Sequence, residues 1–335
     1  MIRPASVVTG AGGFIGYRLA NALAAEGHHV VGVDVHFPDP AGPAGPARFV
    51  PIVADVRDRD AMRRALTGAS VVFHLASAHL RVSLPESEYW DVNVHSLSGL
   101  LQLAQEAGVS RFVHTSSVGV YGHTGSTPAS ESRRPVPQSV YGITKLAGEE
   151  AVLAFGNEAG LDVVILRPAW VYGPGCPRTE KLCRALRKRR FVVVGDGRNL
   201  RHPIYIDDMV EAFRLAAVTA DASGAVFNIA GERAVTTREL LETFCSVFGY
   251  AMPGTRIPYR LATGLAAGVE SFCRMIDREP PISSRTLEFF TMSNSFDTSR
   301  ARSILGFVPR HSLERGLTVM RDEMRRMPGT QPCAA

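Results

Sequence analysis

The sequence predicts an α/β protein built on a doubly wound parallel sheet, with a smaller C-terminal lobe that is partly interleaved with the sheet domain. In the first half of the chain, short β-branched runs alternate with helical patterns, which is typical of a parallel sheet covered by helices on both faces. A glycine-rich run, Thr9–Gly16, follows the first of these strands and opens the first helix. This order of strand, glycine turn and helix is typical of Rossmann-type sheets.

The predicted strands and helices alternate from the N-terminus to Leu166. Strands are expected at Ser6–Thr9, His29–Asp34, Phe49–Val53, Ser70–Leu75, Arg111–Thr115 and Val163–Leu166. Helices are expected at Gly13–Glu26, Asp58–Leu66, Glu86–Ala107 and Tyr141–Glu158. The segment Pro38–Pro46 is dense in proline, glycine and alanine, and it is predicted to be a loop.

The pattern changes after Arg167-Pro168, where the predicted elements become shorter and more mixed. Helices are expected at Glu180–Arg189, Asp207–Ala217, Thr237–Phe248 and Leu313–Met327, with isolated strands at Phe191–Val194 and Val226–Ile229. Residues 1–168 are therefore predicted to form the Rossmann domain, with some later segments returning to it. Residues 169–327 are expected to form mainly the second lobe, and residues 328–335 a disordered tail.

Composition and charge exclude several classes of protein. With 45% hydrophobic and 21% charged residues, the chain has the composition of a soluble globular protein. A net charge of +5 over 335 residues is too small to indicate a nucleic-acid partner. The apolar segment Ile257–Ile276 contains Arg260, Glu270 and Arg274, so it is predicted to be an amphipathic helix and not a membrane span.

The cysteines indicate neither disulfides nor a metal site. Their number is odd, they are widely spaced, and none has the spacing of metal ligands. We therefore expect reduced thiols, a cytoplasmic protein and no bound metal. The five positions are Cys176, Cys183, Cys245, Cys273 and Cys333.

The glycine-rich run predicts a dinucleotide site. Gly10 permits a tight turn, Gly13 lets the backbone approach a pyrophosphate, and Gly16 lets the helix pack closely on the strand. The amide groups of the first helical turn, at Phe14 and Ile15, then face the phosphates with the positive end of the helix dipole. The context of strand and helix makes this site more specific than a glycine triplet alone.

Residues at the ends of later strands complete the predicted cofactor site. Asp34 ends the second strand and can accept hydrogen bonds from an adenosine ribose, while it would repel a 2′-phosphate; this favours NAD over NADP. Asp55-Val56 follows the third strand, where an acid can meet an adenine amino group. Leu75-Ala76-Ser77 closes the fourth strand with small residues against which a cofactor can lie.

Tyr141 and Lys145 predict proton chemistry beside that cofactor. Four residues apart on a helix, they share one face, and an ammonium close to a phenol favours the phenolate, so the tyrosine can act as a base. The fifth strand ends in Thr115-Ser116-Ser117, at the sheet edge where ligands bind in open α/β folds. Ser117 is the candidate for orienting the substrate oxygen, with Ser116 as the alternative.

These residues resemble the extended short-chain dehydrogenases/reductases, of the NAD-dependent epimerase/dehydratase group. The resemblance covers the chain from Val7 to Leu317 and rests on seven segments. They are Thr9–Gly16, His74–Ser77, Asn93, Thr115–Gly122, Tyr141–Lys145, Arg167–Gly175 and Tyr205–Asp208.

The resemblance implies specific roles for these positions. The nicotinamide takes a hydride while the tyrosine matching Tyr141 takes the proton, and Ser117 assists. It also implies that Asn93, Thr115, Ser116 and the stretch Arg167-Pro168 to Val171 border the cofactor. The helices Glu86–Ala107 and Tyr141–Glu158 form a dimer bundle in many relatives, so a homodimer is expected.

The substrate is left open between two branches of this family. The segment Gly195–Asp208 resembles nucleotide-sugar enzymes, in which an arginine matching Arg201 contacts a diphosphate. The C-terminal part, from Ile257-Pro258-Tyr259 onward, resembles 3β-hydroxysteroid dehydrogenase-like members. We therefore expect an NAD-dependent oxidoreductase that interconverts a secondary alcohol and a ketone on a lipophilic or secondary-metabolite substrate, with a nucleotide-sugar 4-epimerase as the alternative.

Two further possibilities receive less support. A sugar 4,6-dehydratase would need an acidic pair beside Ser117, where this chain has Val118 and Gly119. A dinucleotide-sensing protein without chemistry would typically have lost the tyrosine and lysine, and both are present here.

Overall fold

The computed structural model describes residues 5–37, 48–79, 84–125, 127–275 and 284–326. The predicted loop at residues 38–46 and the predicted tail at residues 328–335 lie outside these ranges. The predicted fold class is confirmed by a sheet whose order is β11-β6-β5-β4-β1-β2-β3. In chain order the strands are β1 Ala5–Thr9, β2 Val30–Asp34, β3 Phe49–Val53, β4 Ala69–His74, β5 Arg111–Thr115, β6 Val163–Pro168, β7 Trp170–Tyr172, β8 Val193–Val194, β9 Leu200–Arg201, β10 Pro203–Tyr205, β11 Val226–Ile229, β12 Val235–Thr236 and β13 Arg256–Ile257.

The helices cover both faces of the sheet and build most of the second lobe. In chain order they are α1 Phe14–Ala25, α2 Arg59–Leu66, α3 Glu86–Trp90, α4 Ser96–Glu106, α5 Val140–Ala159, α6 Pro177–Arg187, α7 Ile206–Val218, α8 Thr237–Phe248, α9 Tyr259–Met275, α10 Ser284–Thr291 and α11 Leu313–Arg326. None of the helices in the described ranges is long and apolar enough to cross a membrane.

All six strand pairings in the large sheet are parallel. The strand order reverses between β1 and β4, because β1 feeds β2 on one side and the chain returns to β4 on the other. Ligands of such sheets bind in the crevice at the carboxyl ends of the strands, where the order reverses. Thr9 and His74 are register partners across this position, so the glycine-rich turn after Thr9 opens directly into the crevice.

The strand Val226–Ile229 has the predicted bounds, but it is not isolated. It forms β11 and pairs with β6 along Val226–Ile229 and Ile165–Pro168, at the edge of the large sheet. Phe227 and Ile229 are fully buried, so the strand gains a hydrophobic environment by joining the sheet. A segment distant in sequence thereby extends the sheet beside the site.

The predicted helix Glu86–Ala107 is continuous but not regular. A π-helical turn at Asp91–His95 separates α3 from α4. Asn93 lies in this turn and is 1% exposed, so the irregular turn carries a polar side chain inward. Such turns are frequent at functional sites.

Two hydrophobic cores lie on the two faces of the sheet. One includes Leu19 of α1 and Phe213 of α7, and it extends through Phe244 of α8 into the second lobe. The other contains Leu97 and Leu101 of α4 together with Val152 of α5. The strands are therefore buried on both sides, which explains their continuous apolar runs and holds their carboxyl ends rigidly in one plane.

Candidate active site

The glycine-rich turn packs too closely for side chains at two positions. Gly10 has a φ of +73°, and a Cβ atom on it would lie 2.7 Å from the backbone nitrogen of Ala76. A Cβ atom on Gly16 would lie 2.1 Å from the carbonyl oxygen of Gly10. The turn therefore lies directly against the end of β4, and α1 lies directly against the turn.

The start of α1 fits an anionic diphosphate. Gly13 is the N-cap residue and is exposed, and the first turn has neither a capping side chain nor an acidic residue. The first amide groups of the helix, at Phe14 and Ile15, have no partner within a regular helix. They give this end of the crevice a positive potential, as a diphosphate requires.

Asp34 lies against the same turn. Its Oδ2 atom accepts a hydrogen bond from the Gly12 amide at 2.9 Å, and its Oδ1 atom accepts one from the His36 amide at 3.1 Å. These bonds hold the carboxylate at the end of β2. The position is the one from which an acid can meet a ribose.

Asp55, which precedes Val56, forms a salt bridge with Arg57. The Asp55 carboxylate accepts hydrogen bonds from the guanidinium and the amide of Arg57, with an Oδ2–Nη2 distance of 2.6 Å. These hydrogen bonds lower the pKa of Asp55, and Val56 is 8% exposed. The adenine contact remains a prediction for both residues.

Asn93 connects the loop after β4 with α5. Its Oδ1 atom accepts hydrogen bonds from the Ala78 amide at 2.8 Å and from the Ser77 hydroxyl at 3.1 Å. Its amide nitrogen donates to Thr144 Oγ1 at 3.0 Å. The loop Leu75–Ser77 is thereby fixed to the helix that carries Tyr141 and Lys145.

Helix α5 begins at the residue before Tyr141. Ser139 is its N-cap, and the Ser139 hydroxyl accepts a hydrogen bond from the Gly142 amide at 3.2 Å. Tyr141 is half-buried at the crevice, whereas Lys145, one turn further on, is 2% exposed. The Lys145 Nζ atom lies 6.0 Å from the centre of the Tyr141 ring and donates to the Thr115 carbonyl at 2.9 Å.

Burial disfavours the protonated, positively charged form of Lys145. Loss of solvation lowers its pKa to about 8, and the nearby negative charge of Glu149 offsets part of that effect. The same ammonium and complete burial keep two stacked imidazoles neutral. Burial first, and then the Lys145 charge, lowers the pKa of His74 to about 3 and that of His114 well below its usual value.

Ser117 and Tyr141 face one another across Gly119. A Cβ atom on Gly119 would lie 3.2 Å from Ser117 Oγ and 3.9 Å from Tyr141 Cδ1. Ser117 Oγ accepts a hydrogen bond from the Gly119 amide at 3.0 Å, which orients the hydroxyl at the start of a 3₁₀ turn, Val118–Tyr121. Its proton can therefore be donated to another oxygen.

Sequence reasoning missed a buried polar network beneath this pair. Glu149 accepts two hydrogen bonds from Arg167, with Oε1–Nε at 2.8 Å and Oε2–Nη2 at 2.5 Å, and a short one from the Ser116 hydroxyl. Arg167 also donates to the Tyr121 hydroxyl at 2.7 Å, and Tyr121 donates to Asn228 Oδ1 of β11 at 2.8 Å. The spacing of Glu149, four residues after Lys145, was the available signal.

This network determines where two predicted cofactor residues point. The side chains of Ser116 and Arg167 are turned into the protein, and both residues are at most 5% exposed. Thr115 presents its carbonyl to Lys145, and Pro168 and Val171 follow at the buried carboxyl end of β6 and in β7. A cofactor contact at these positions remains a prediction, and for Ser116 and Arg167 it concerns the backbone.

Aromatic rings lie next to Arg201, beyond the end of β6. Trp170, two residues after the end of β6, meets the Phe289 ring of α10 edge to face with centroids 6.1 Å apart. The Arg201 guanidinium lies 4.5 Å from the centre of the same Phe289 ring and donates to the Phe289 carbonyl. Arg201 is 8% exposed, so its charge is largely withdrawn from solvent.

The model of a known protein family matches the part of the chain that contains the glycine-rich turn, α5 and the large sheet. The model for the NAD dependent epimerase/dehydratase family matches residues 6–230, which include the glycine turn, Tyr141, Lys145 and the last strand of the sheet. The chain belongs to the NAD dependent epimerase/dehydratase family. It is accordingly an NAD-dependent enzyme, and the resemblance to extended short-chain dehydrogenases/reductases is confirmed.

Known members of the family differ in their substrates. A solved structure of MoeE5 in complex with UDP-glucose and NAD is 32% identical, with a TM-score of 0.77, over 96% of this chain and 99% of that one. Human short-chain dehydrogenase/reductase family 42E member 1 is 31% identical over 90% of this chain and 83% of its own length. The 2-alkyl-3-oxoalkanoate reductase of Stenotrophomonas maltophilia is 29% identical over 93% of this chain and 96% of its own.

Proposed function

We propose that this enzyme interconverts a secondary alcohol and a ketone on a lipophilic substrate, with net transfer of a hydride to or from NAD. The glycine turn Gly10–Gly16, Asp34 and Lys145 would hold the cofactor. When bound, NAD supplies the acceptor or donor of the hydride at the carbon that bears the reacting oxygen.

Three protein side chains, Tyr141, Lys145 and Ser117, carry out the proposed proton transfer. In the oxidative direction Tyr141 takes the proton of the alcohol, and the Lys145 ammonium, 6.0 Å from its ring centre, favours the phenolate that accepts it. Ser117, held by the Gly119 amide, donates to the substrate oxygen and fixes its distance from Tyr141. In the reductive direction Tyr141 returns the proton to the developing alkoxide.

The enclosure of Arg201 carries the proposal about the substrate. At this position an exposed cation would be needed to meet a diphosphate, but the guanidinium is directed at the Phe289 ring and carbonyl. Trp170 and Phe289 present apolar surface instead. Such a wall favours an apolar substrate, because it would leave the oxygens of a diphosphate without partners. The similarity to a 2-alkyl-3-oxoalkanoate reductase supports the same class.

The second candidate is a nucleotide-sugar 4-epimerase, in which the hydride returns to the same substrate. The similarity to MoeE5, solved with UDP-glucose and NAD, favours it. It requires Arg201 to leave Phe289 and turn toward a diphosphate.

The two candidates differ in net redox change. Purified enzyme is incubated with NAD and hydrophobic secondary alcohols, and in parallel with UDP-glucose and UDP-glucuronic acid, while absorbance at 340 nm and sugar composition are followed. We expect stoichiometric NADH from an alcohol, abolished in Tyr141→Phe. Interconversion of the UDP-sugars without NADH release would replace the proposal with the epimerase. A binding protein without chemistry would give neither product.

We also propose that the enzyme forms a homodimer through α4 and α5. Ile143, on the outer side of α5, is 41% exposed, although it lies next to the catalytic pair. Light scattering of the wild type should give twice the mass of the chain, and Ile143→Lys should give the monomer. A wild-type enzyme that is monomeric in solution would contradict this proposal.

A further inference from the structure

Helix α9 exposes an apolar stripe. Leu261 is 61% exposed, Leu265 is 59% exposed and Met275 is 84% exposed, and these positions fall on one side of a helix with 3.6 residues per turn. The adjoining side of α9, about 120° further round the helix, is buried through Ala262, Ala266 and Cys273. We call the set Leu261, Leu265 and Met275 the α9 stripe. The helix is therefore packed on one side and presents a second apolar side outward.

Basic residues surround the start of this stripe. Arg256 of β13 precedes α9, Arg260 lies in its first turn, and both are exposed. Lys188, Arg189 and Arg190 follow α6 and are also exposed. A cavity of about 210 Å³ is lined by Arg189 and by residues 251–255, which lead into β13 and α9, so the two basic groups lie on adjoining surface. We call these five residues the basic rim.

The segments of the chain that carry the basic rim contain no acidic residues. No acidic residue occurs in the sequence at positions 181–195 or 250–269. Glu270, on α9 itself, is half-buried on the packed side. Within the described ranges, none of the five basic side chains of the rim forms a salt bridge with an acidic residue. These exposed positive charges are therefore available to an anionic partner.

We propose that the α9 stripe and the basic rim dock this enzyme on an anionic lipid bilayer, with α9 lying in the plane of the interface. An apolar helix face with arginines beside it is the pattern of interfacial helices, and each basic residue near an anionic surface adds to the attraction. Tyr259, 46% exposed at the start of α9, suits the boundary between head groups and acyl chains.

A second copy of the chain fits this surface less well. A two-fold dimer would bring the same patch of both copies together, so that ten positive charges would meet without acidic partners. Lipid head groups supply the missing negative charge. The proposal does not depend on the identity of the substrate.

Vesicle sedimentation tests the proposal. The full-length enzyme is mixed with vesicles of phosphatidylcholine and phosphatidylglycerol at a one-to-one ratio, and with vesicles of phosphatidylcholine alone. Binding is expected to the first, weaker to the second, and reduced by salt. Leu261→Ser/Leu265→Ser should lower the partition coefficient at least tenfold, since burying a leucine side chain contributes about 1.5–3 kcal/mol, converted at 1.4 kcal/mol per tenfold. Arg256→Gln/Arg260→Gln should lower it roughly fivefold for each charge.

Val218→Ser is the matched control, because Val218 is 77% exposed at the end of α7 and belongs neither to the α9 stripe nor to the basic rim. It should bind vesicles like the wild type, and all variants should keep the wild-type melting temperature. Absence of wild-type binding to anionic vesicles overturns the proposal. It is equally overturned if the two serines convert a dimer to a monomer and leave vesicle binding unchanged, which would assign the stripe to a second copy.

Discussion

Glu149 and Arg167 form a two-pronged ion pair beneath the proposed catalytic residues. Their side chains are 3% and 6% exposed, and the two N–O distances are 2.8 and 2.5 Å. Burial acts against the charge of Arg167, and the hydrogen bonds and charge of Glu149 outweigh it, so the pKa of the guanidinium is raised. Glu149 follows Lys145 by one turn of α5. The Glu149–Arg167 ion pair therefore stabilises the fold directly beside the proposed catalytic residues.

Removing one partner of this pair should destabilise the enzyme more than removing both. Glu149→Gln leaves a buried guanidinium without its counter-charge, and we expect a loss of about 3–5 kcal/mol in the free energy of unfolding. Glu149→Leu/Arg167→Met removes both charges and should recover most of that loss. Urea denaturation followed by circular dichroism measures both values. A double variant no more stable than Glu149→Gln would contradict this account of the pair.

The pKa of Lys145 predicts an alkaline limit to activity. Because the folded-state pKa is lowered to about 8, the ammonium is lost as the pH rises through that value, and Tyr141 loses the charge that favours its phenolate. We expect kcat to fall above about pH 8. Replacing Lys145 with arginine keeps a charge that does not titrate there, so Lys145→Arg should lose this alkaline limb whatever its absolute rate. A wild-type profile that stays flat from pH 7 to 9.5 would rule out Lys145 as the titrating group.

The same shift has a consequence for stability with a defined sign. In the unfolded chain the lysine holds its proton up to a pKa near 10.5, whereas the folded protein releases it near 8. Between these values the unfolded state binds more protons, so the free energy of unfolding should rise with pH over this window. Lys145→Met removes this contribution, and the difference between the two stability profiles isolates it from all other groups.

Local spacing explains how much of the site could be predicted from the sequence. Tyr141 and Lys145 are one helical turn apart, and the predicted cofactor glycines Gly10, Gly13 and Gly16 lie within seven residues, so their arrangement follows from helix and turn geometry alone. Arg167 could not be assigned to Glu149, because the contact joins α5 to β6. The inward turn of Asn93 likewise depends on a π-helical turn that no apolar period indicates. Val226–Ile229 was predicted as a strand, but its place beside β6 depends on a pairing distant in sequence.

Ser117 and Tyr141 should contribute differently to the rate. Tyr141→Phe removes the proposed proton acceptor, and we expect kcat to fall by a factor of about 10²–10⁴. Ser117→Ala removes the proposed hydrogen bond to the substrate oxygen, so it should lower kcat less than Tyr141→Phe does. Steady-state kinetics on the alcohol found in the substrate screen measures both.

Ser116→Ala is the neighbouring control. The Ser116 hydroxyl donates a hydrogen bond to Glu149, so this substitution should lower the stability of the fold more than it lowers kcat. Equal losses of kcat in both serine variants would withdraw the assignment of Ser117.

Asp34 should determine the choice between NAD and NADP. Its carboxylate is held at the glycine turn by the amides of Gly12 and His36, where it can accept from a ribose hydroxyl and repels a 2′-phosphate. Asp34→Asn keeps the size and one acceptor but removes the charge. We expect the Kd for NADH to rise and the Kd for NADPH to fall, so that the ratio of the NADPH Kd to the NADH Kd decreases roughly tenfold. Fluorescence titration of each purified protein with NADH and NADPH gives both constants.

Asp55→Asn serves as the charge-matched control and should leave the ratio unchanged. It neutralises the carboxylate that is paired with Arg57 at the end of the neighbouring strand. A ratio that moves equally in both variants would show that total charge, and not the position of Asp34, selects the cofactor.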